Sequence, residues 1–400
     1  MQQGEKIGEK GCHVVIVGGG FGGIRTALDL DSCLPGYDRI TLVSKNPHFE
    51  YYPGLHHIIG KSHQSVTNVP LVEIFKGTRI KIVVSAITAC DPTLKTVTLE
   101  NGEQVSGDYL VLGLGSQTEY FNIKGLEETA FGLKSVEQAT RLRAHIDQLF
   151  VDYAQVSGAE RVIGLHFVVV GGGPAGTDLA GELVHLRGVL CKQHAIPESF
   201  VTIDLIEAAP RILPMMPEKV SLKVQRRLRM LGVNILQNRN LVREGSWTIF
   251  LEDMKIGAKT LVWTAGITTN EFYTTVPGLT LVKKNRVAVD GSLQAKGFEN
   301  VFVIGDAADT PYAGLAQTAI HDGSFVATAI CAGIAQVPKP IYVPKPVAYN
   351  IGVGPRWSVF VIGPFVITGI LAYWMRALID FKFFTSILPL RKVIRLFCKK

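Results

Sequence analysis

The stretch His13-Val14-Val15-Ile16-Val17-Gly18-Gly19-Gly20-Phe21-Gly22-Gly23 decides the fold of this 400-residue chain. Its short β-branched run reads as a strand buried on both faces of a parallel sheet, and the glycines after it read as a turn into a helix. The first glycine permits a tight bend, the second lets the backbone approach a pyrophosphate, and the third lets helix pack on strand. The phosphate then meets the positive end of the helix. The same order returns at His166-Phe167-Val168-Val169-Val170-Gly171-Gly172-Gly173-Pro174-Ala175-Gly176. One such unit points to a dehydrogenase; two point to a flavoprotein handling two dinucleotides.

The rest of the composition narrows the class. With 47% hydrophobic residues and no Ser-rich or Gln-rich stretch, the chain is a folded, multidomain protein. Its formal charge of +7 is concentrated at one end, where Arg376, Lys382, Arg391, Lys392, Arg395, Lys399 and Lys400 stand against Asp380 alone. A local basic patch of this kind argues against a nucleic-acid surface. Cys12, Cys33, Cys90, Cys191, Cys331 and Cys398 show no CxxC or CxxxxC spacing and read as ordinary intracellular thiols. A redox-active cysteine pair beside a flavin, needed to reduce a disulfide substrate, is therefore not expected. Met1 to Gly11 is charged and lacks a signal-peptide core, so the body of the protein is expected in the cytoplasm.

The expected fold is α/β, with two Rossmann-like dinucleotide-binding domains, one inserted in the other, and a C-terminal membrane-associating segment. Gly113-Leu114-Gly115-Ser116 ends the apolar run Tyr109 to Leu112, and Leu261-Val262-Trp263-Thr264-Ala265-Gly266 ends the second unit in a parallel way. Ser135 to Val156 carries helical spacing with charges on the opposite face. Val301-Phe302-Val303-Ile304-Gly305-Asp306 reads as a buried strand ending in an acid placed to accept sugar hydroxyls.

These residues, together with Ala130-Phe131-Gly132-Leu133-Lys134-Ser135 and Ala316-Gln317-Thr318-Ala319, resemble type II NADH dehydrogenase, the single-chain NADH:quinone oxidoreductase of the two-dinucleotide-binding flavoprotein group. The resemblance covers nearly the whole chain. It implies an FAD-binding domain in two parts, 1–120 and 281–345, an NADH-binding domain at 121–280, and a membrane-anchoring segment at 346–400. It also implies FAD contacts from Gly18, Gly19, Gly20, Phe21, Gly22 and Gly23, then from Ser44, Lys45, Ile87, Gly115 and Asp306, and from Gln317, Thr318 and Arg376. NADH contacts are implied for Gly171, Gly173, Gly176, Glu207 and Gly266.

Particular residues qualify that picture. Glu207 ends the run Val201 to Ile206, 31 positions after Gly176, where about 20 is usual. Gly188 to Ser199 reads as an added loop that absorbs the difference. A carboxylate there accepts both adenosine-ribose hydroxyls and repels a 2′-phosphate, favouring NADH over NADPH. The matching position in the first unit departs from the pattern, because Ser44 and then Lys45 follow Ile40-Thr41-Leu42-Val43. His48, Tyr51, Tyr52, Pro53, Leu55, His56 and His57 form an aromatic and histidine cluster that the resemblance places over the flavin. No flanking Cys or carboxylate set supports a metal site there. Gln317 and His321, four apart, share a helix face; the resemblance puts that helix beside flavin and quinone, with His321 where the family has a second glutamine. An imidazole there could donate to a quinone carbonyl or supply a proton. Asp178 stands where the family carries a glutamate, making it a candidate proton relay, with Glu182 one turn on as its rival. Arg376 matches a basic position of the family, and Asp380 is spaced to pair with it.

Trp357 to Met375 is uncharged for 19 residues, but Gly363-Pro364 cuts it, suggesting a strand, a turn, and a helix from Phe365 onward. Past Pro389, Leu390, Val393, Ile394 and Phe397 share one face opposite Arg391, Lys392, Arg395 and Lys399, the design of an interfacial helix. The competing readings are a solvated terminal helix and a contact in a homodimer. The expected activity is hydride transfer from NADH to FAD, then two electrons to a lipid quinone, ubiquinone or menaquinone. It would proceed without proton pumping, peripherally at the cytoplasmic face of the membrane, with Asp178, His321 and Gln317 as the catalytic candidates. The rivals are a sulfide:quinone oxidoreductase, for which Cys331 is the one near cysteine, and a nucleotide-sensing relative of apoptosis-inducing factor.

Overall fold

The computed structural model describes residues 11–36, 38–60, 67–156, 158–245 and 247–398; Met1 to Lys10 and the basic pair Lys399 and Lys400 lie outside the described residues. The chain divides into two compact units, the first made of Met1–Phe49, Pro70–Gln117 and Thr268–Pro346, the second of Glu50–Val69, Thr118–Ile267 and Val347–Lys400.

The first unit is built on a parallel sheet of five strands. Their order is Val301–Val303, Tyr109–Leu112, His13–Val17, Arg39–Ser44 and Lys81–Val84. Val14, Val15 and Ile16 are fully buried, as expected of a strand covered on both faces. The strand order reverses at His13–Val17, and in such sheets ligands bind outside the carboxyl ends at that switch point. The helix Phe21–Cys33 leaves the sheet there and packs on the helix Ala316–Ile334. Their approach is close because neither Gly22 nor Gly323 has a side chain: a Cβ on Gly323 would lie 2.5 Å from the Gly22 carbonyl oxygen.

The second unit repeats the plan with the order Phe131–Gly132, Thr260–Trp263, His166–Val170, Thr202–Glu207 and Val233–Gln237, again all parallel. The helix Val136–Asp152 begins where the periodicity places it, capped by the Ser135 hydroxyl accepting from the Gln138 amide at 3.1 Å. The extra residues before Glu207 are not mainly loop. The helix Pro174–Gln193 runs on for 20 residues and takes up Gly188 to Gln193, the first half of them, burying Leu186, Leu190 and Cys191.

The C-terminal part of this unit corrects the reading of the tail. Ala348–Gly352, Ser358–Ile362 and Phe365–Gly369 form an antiparallel sheet, so Phe365 opens a third strand, and the helix starts only at Ile370. The turn at Gly363-Pro364 and the β-branched Val366, Ile367 and Thr368 favour that hairpin. The helices Ile370–Thr385 and Leu390–Cys398 follow. Among the described residues no helix is long and apolar enough to cross a membrane.

Candidate active site

The two glycine turns are equivalent in detail. Gly18 and Gly171 sit at φ +113° and +109°, a region closed to side chains, and a Cβ on Gly18 would lie 2.2 Å from the Gly113 carbonyl oxygen. Each turn is tied to the end of the neighbouring strand: the Gly18 amide donates to the Val43 carbonyl and the Gly171 amide to the Ile206 carbonyl, both at 2.8 Å. In front of Gly20 and Gly173, at the amino ends of the two helices, no atom lies within 4 Å of where a Cβ would stand. Each turn thus opens the amino end of its helix to free space, the setting a pyrophosphate requires.

They differ in the residue that ends the neighbouring strand. In the first unit Ser44 packs against Gly19, its Oγ 2.5 Å from a Cβ built there; in the second, Glu207 holds the same place against Gly172, its Oε2 3.0 Å away. Ser44 donates its hydroxyl to the Asn46 carbonyl at 2.8 Å, leaving oxygen lone pairs to accept. Glu207 accepts the Gly172 amide at 2.7 Å and the Ala209 amide at 2.8 Å. Its carboxylate is therefore fixed beside the turn. Gly266, beyond the strand Thr260–Trp263, leaves room for the Glu119 carbonyl and the Phe121 ring.

Asp306 follows Gly305, which takes φ +69°, and accepts a hydrogen bond from Ser116. The residue that holds this corner was missed by the sequence reading. The buried Asp322 accepts the Gly305 amide at 2.9 Å and the Tyr342 hydroxyl at 2.6 Å, and burial raises its pKa although both bonds pull it back. The available signal was an acid standing in the otherwise uncharged run from Ala316 to Ile334. Gln317 and Thr318 lie in that helix's first turn, Gln317 exposed and Thr318 buried. His321 points its Nε2 at the Val343 carbonyl, 2.9 Å away, so Nε2 carries the hydrogen and Nδ1 is left as acceptor. Lys45 is exposed, Ile87 packs on the unit's core, and Gly115 takes φ +71°.

The cysteine reading is corrected in this unit. Cys33 and Cys331 form a disulfide between the far ends of the Phe21 and Ala316 helices, closing 298 residues of sequence. Cys331 is in the fifth turn of its helix, about 22 Å from the helix start at 1.5 Å per residue, so it is not at the cradle. Cys12, Cys90, Cys191 and Cys398 are free thiols.

In the second unit the sequence candidates Asp178 and Arg376 meet. The Arg376 guanidinium grips Asp178 with bonds of 3.0 and 3.1 Å and reaches the Pro53 carbonyl at 2.9 Å, while the Gly352 amide also donates to Asp178. Burial opposes the arginine's charge, but Asp178, with Asp380 and Tyr51, more than offsets this and raises its pKa. Arg376 thus makes its ion pair with Asp178, while Asp380 accepts the Tyr51 hydroxyl at 2.5 Å. His56 lies 4.0 Å from Asp178, and burial, then the Arg376 charge, push its pKa well down. Among the described residues no group of His, Cys, Asp and Glu is arranged to hold a metal ion.

The sequence profile of the pyridine nucleotide-disulphide oxidoreductase family matches residues 12–323. A type II NADH:quinone oxidoreductase of Mycobacterium tuberculosis is 31% identical over 350 residues, covering 82% of this chain and 74% of that protein. The chain belongs to the type II NADH:quinone oxidoreductases. The type II NADH:quinone oxidoreductase of Staphylococcus haemolyticus is 27% identical over 330 residues, covering 79% of this chain and 81% of that protein. NDH2 of Plasmodium falciparum, solved in complex with NADH, has the same fold with a TM-score of 0.86 at 16% identity, covering 97% of this chain and 98% of that one.

The residues of the first unit fit FAD: the turn at Gly18 leaves open space before Gly20, Ser44 keeps lone pairs beside Gly19 that would accept a ribose hydroxyl, and Asp306, which follows Gly305, would be available to the cofactor.

Proposed function

We propose that this chain is a non-pumping NADH:quinone oxidoreductase that takes NADH on the Gly171 turn, holds FAD on the Gly18 turn, and works peripherally at the cytoplasmic face of a membrane. FAD, when bound, accepts a hydride from NADH and returns two electrons to a quinone. The asymmetry of two otherwise equivalent turns carries the assignment of the nucleotides. Glu207, fixed by two backbone amides, offers its remaining lone pairs to adenosine-ribose hydroxyls and repels a 2′-phosphate. Ser44 makes no such demand.

The chain's own part in the reaction is positioning and proton supply. Gln317, exposed in the first turn of its helix, offers a donor to a quinone carbonyl. His321, with Nδ1 free to accept, and Asp178, held by Arg376, are the proton-handling candidates at the two places where they stand. The sulfide route needs a free cysteine at the cradle, and Cys331 is paired with Cys33 instead.

The membrane reading is supported by the last two helices. Ile370, Leu371, Trp374 and Leu378 are all more than half exposed, and Leu390 and Ile394 are exposed beside Arg391 and Arg395. Val393 is fully buried, and Phe397 packs edge-on to Phe381 and Phe384, so the Leu390 helix is fixed against its neighbour with its apolar and basic flanks outward. Each basic residue near anionic headgroups contributes on the order of 1 kcal/mol.

The test is purified protein with NADH and a soluble quinone, where no NADH-dependent quinone reduction would refute the activity, and where sulfide in place of NADH should give none. Removal of Leu390 to Lys400 should release the protein from anionic vesicles while sparing turnover of soluble quinone. Unchanged vesicle binding would refute the anchor, and a loss of dimer mass instead would assign that face to a second copy.

A further inference from the structure

Beside the Asp178–Arg376 pair lies a second carboxyl that the reaction described so far does not use. Glu182 is one turn beyond Asp178 on the Pro174 helix, so their Cβ atoms are about 5–6 Å apart. The helix Leu55–Gly60 runs alongside in register: His56 stands against Asp178 and Gly60 against Glu182. A Cβ on Gly60 would lie 1.6 Å from Glu182 Oε1, so in this rotamer the carboxyl fills the space that the missing side chain of Gly60 leaves.

The donors around the two acids are unequally shared. Asp178 takes Arg376 on both oxygens and the Gly352 amide as well. Arg143, the other cation facing Glu182, is occupied by Asp147 through two bonds and by the Ile59 carbonyl. No hydrogen bond or ion pair to Glu182 is found among the described residues, and the strand Ala348–Gly352, packed on the same helix, carries no charged side chain. Among the described residues the facing charged and titratable groups are Asp178 on its own helix, His56 on the Leu55 helix, Arg143 on the Val136 helix and Arg376 on the Ile370 helix. A carboxyl seated in this way, next to an acid that has taken the available cation, keeps its proton.

We propose that Glu182 is the internal proton store for quinone reduction, the member of the Asp178–Glu182 pair that carries the proton. This rests on the reading above that the chain reduces quinone and handles its proton at Asp178. The overall reaction, NADH + H⁺ + quinone → NAD⁺ + quinol, takes up one proton. Glu182 releases it toward Asp178 and is left ionised, and water reprotonates it before the next turnover. Its role is to supply the proton through Asp178, not to touch the quinone. Burial, then the Asp178 charge, raise its pKa to about 7, with Arg376 and Arg143 opposing, so the store is full below neutrality and empties above it.

The test compares wild type, Glu182→Gln and Glu182→Asp as FAD-loaded enzyme, following reoxidation by a soluble quinone from pH 5.5 to 9 after anaerobic reduction with NADH. Wild type should slow as pH rises through about 7. Glu182→Gln should be about 10²-fold slower at the acid end and lack that limb, with flavin content reporting its fold, and Glu182→Asp should recover part of both. Infrared difference spectra of the oxidised enzyme between acid and alkaline pH should show the carbonyl stretch of a protonated carboxyl, and Glu182→Gln should lack it. A wild type that turns over while Glu182→Gln keeps its pH profile, or an infrared band unaffected by the substitution, overturns this proposal alone. A wild type that reduces quinone at no pH overturns the parent reading and the store with it.

Discussion

Replacing Glu182 with glutamine removes a group whose proton affinity differs between the folded and unfolded chain, and the consequence for stability can be worked out. Burial and the neighbouring Asp178 lift its carboxyl from 4.5 to about 7 in the folded protein. Unfolded, it titrates at the ordinary value, about 4.3. Between those values the folded state binds a proton that the unfolded state does not, so stability falls as pH rises. The contribution is fully present below about 4.3 and is lost as pH passes through about 7. A separation of that size corresponds to ~3 kcal/mol. Glutamine keeps the shape and does not titrate, so Glu182→Gln should gain ~3 kcal/mol on wild type between acid and mildly alkaline pH. At about 2–4 °C per kcal/mol for a unit of this size, the difference in thermal midpoint should widen by about 6–12 °C. Parallel thermal melts across pH 5 to 8.5 at fixed ionic strength measure it. A constant difference, or one in which wild type gains with rising pH, would refute the reasoning.

Other residues give further expectations. Arg376→Gln leaves Asp178 buried without its cation and should cost ~3–5 kcal/mol; adding Asp178→Asn should return most of it, measured by denaturant unfolding of the single and double variants. Glu207→Gln weakens charge-assisted bonds of ~1.5–3 kcal/mol to the ribose, so kcat/KM for NADH should fall about 10–100-fold while the preference over NADPH narrows, checked with both nucleotides. Thiol titration of denatured protein should find four reactive cysteines before reduction and six after, since Cys33 and Cys331 are paired; six before reduction would disprove the pairing.

What the sequence disclosed and what it hid follow one physical division. The glycine turns are legible because their steric demands are local: φ near +110° at Gly18 and Gly171 admits only glycine, and the strand before each turn is written in adjacent residues. Glu207 was legible as an acid ending a strand, although the helix that displaces it was misread as loop, since Gly188 interrupts its pattern without ending it. The strand Phe365–Gly369 was taken for helix because a short apolar run carries no decisive period. The contacts between distant residues were not legible. Asp178 meets Arg376 across 198 positions, and Cys33 meets Cys331 across 298. Asp322 meets Gly305 and Tyr342 across 17 and 20 positions. Glu182 stood out only as a rival to Asp178. Its seat against Gly60 joins two helices that no local pattern connects.

A flavin that NADH reduces and quinone reoxidises is tested most directly by the anaerobic absorbance spectrum of the purified protein. Stoichiometric NADH should bleach the flavin bands while equimolar NADPH does so far more slowly, and a soluble quinone added next should restore them. A spectrum that NADH leaves unchanged, or a bleached flavin that quinone does not recover, would contradict it.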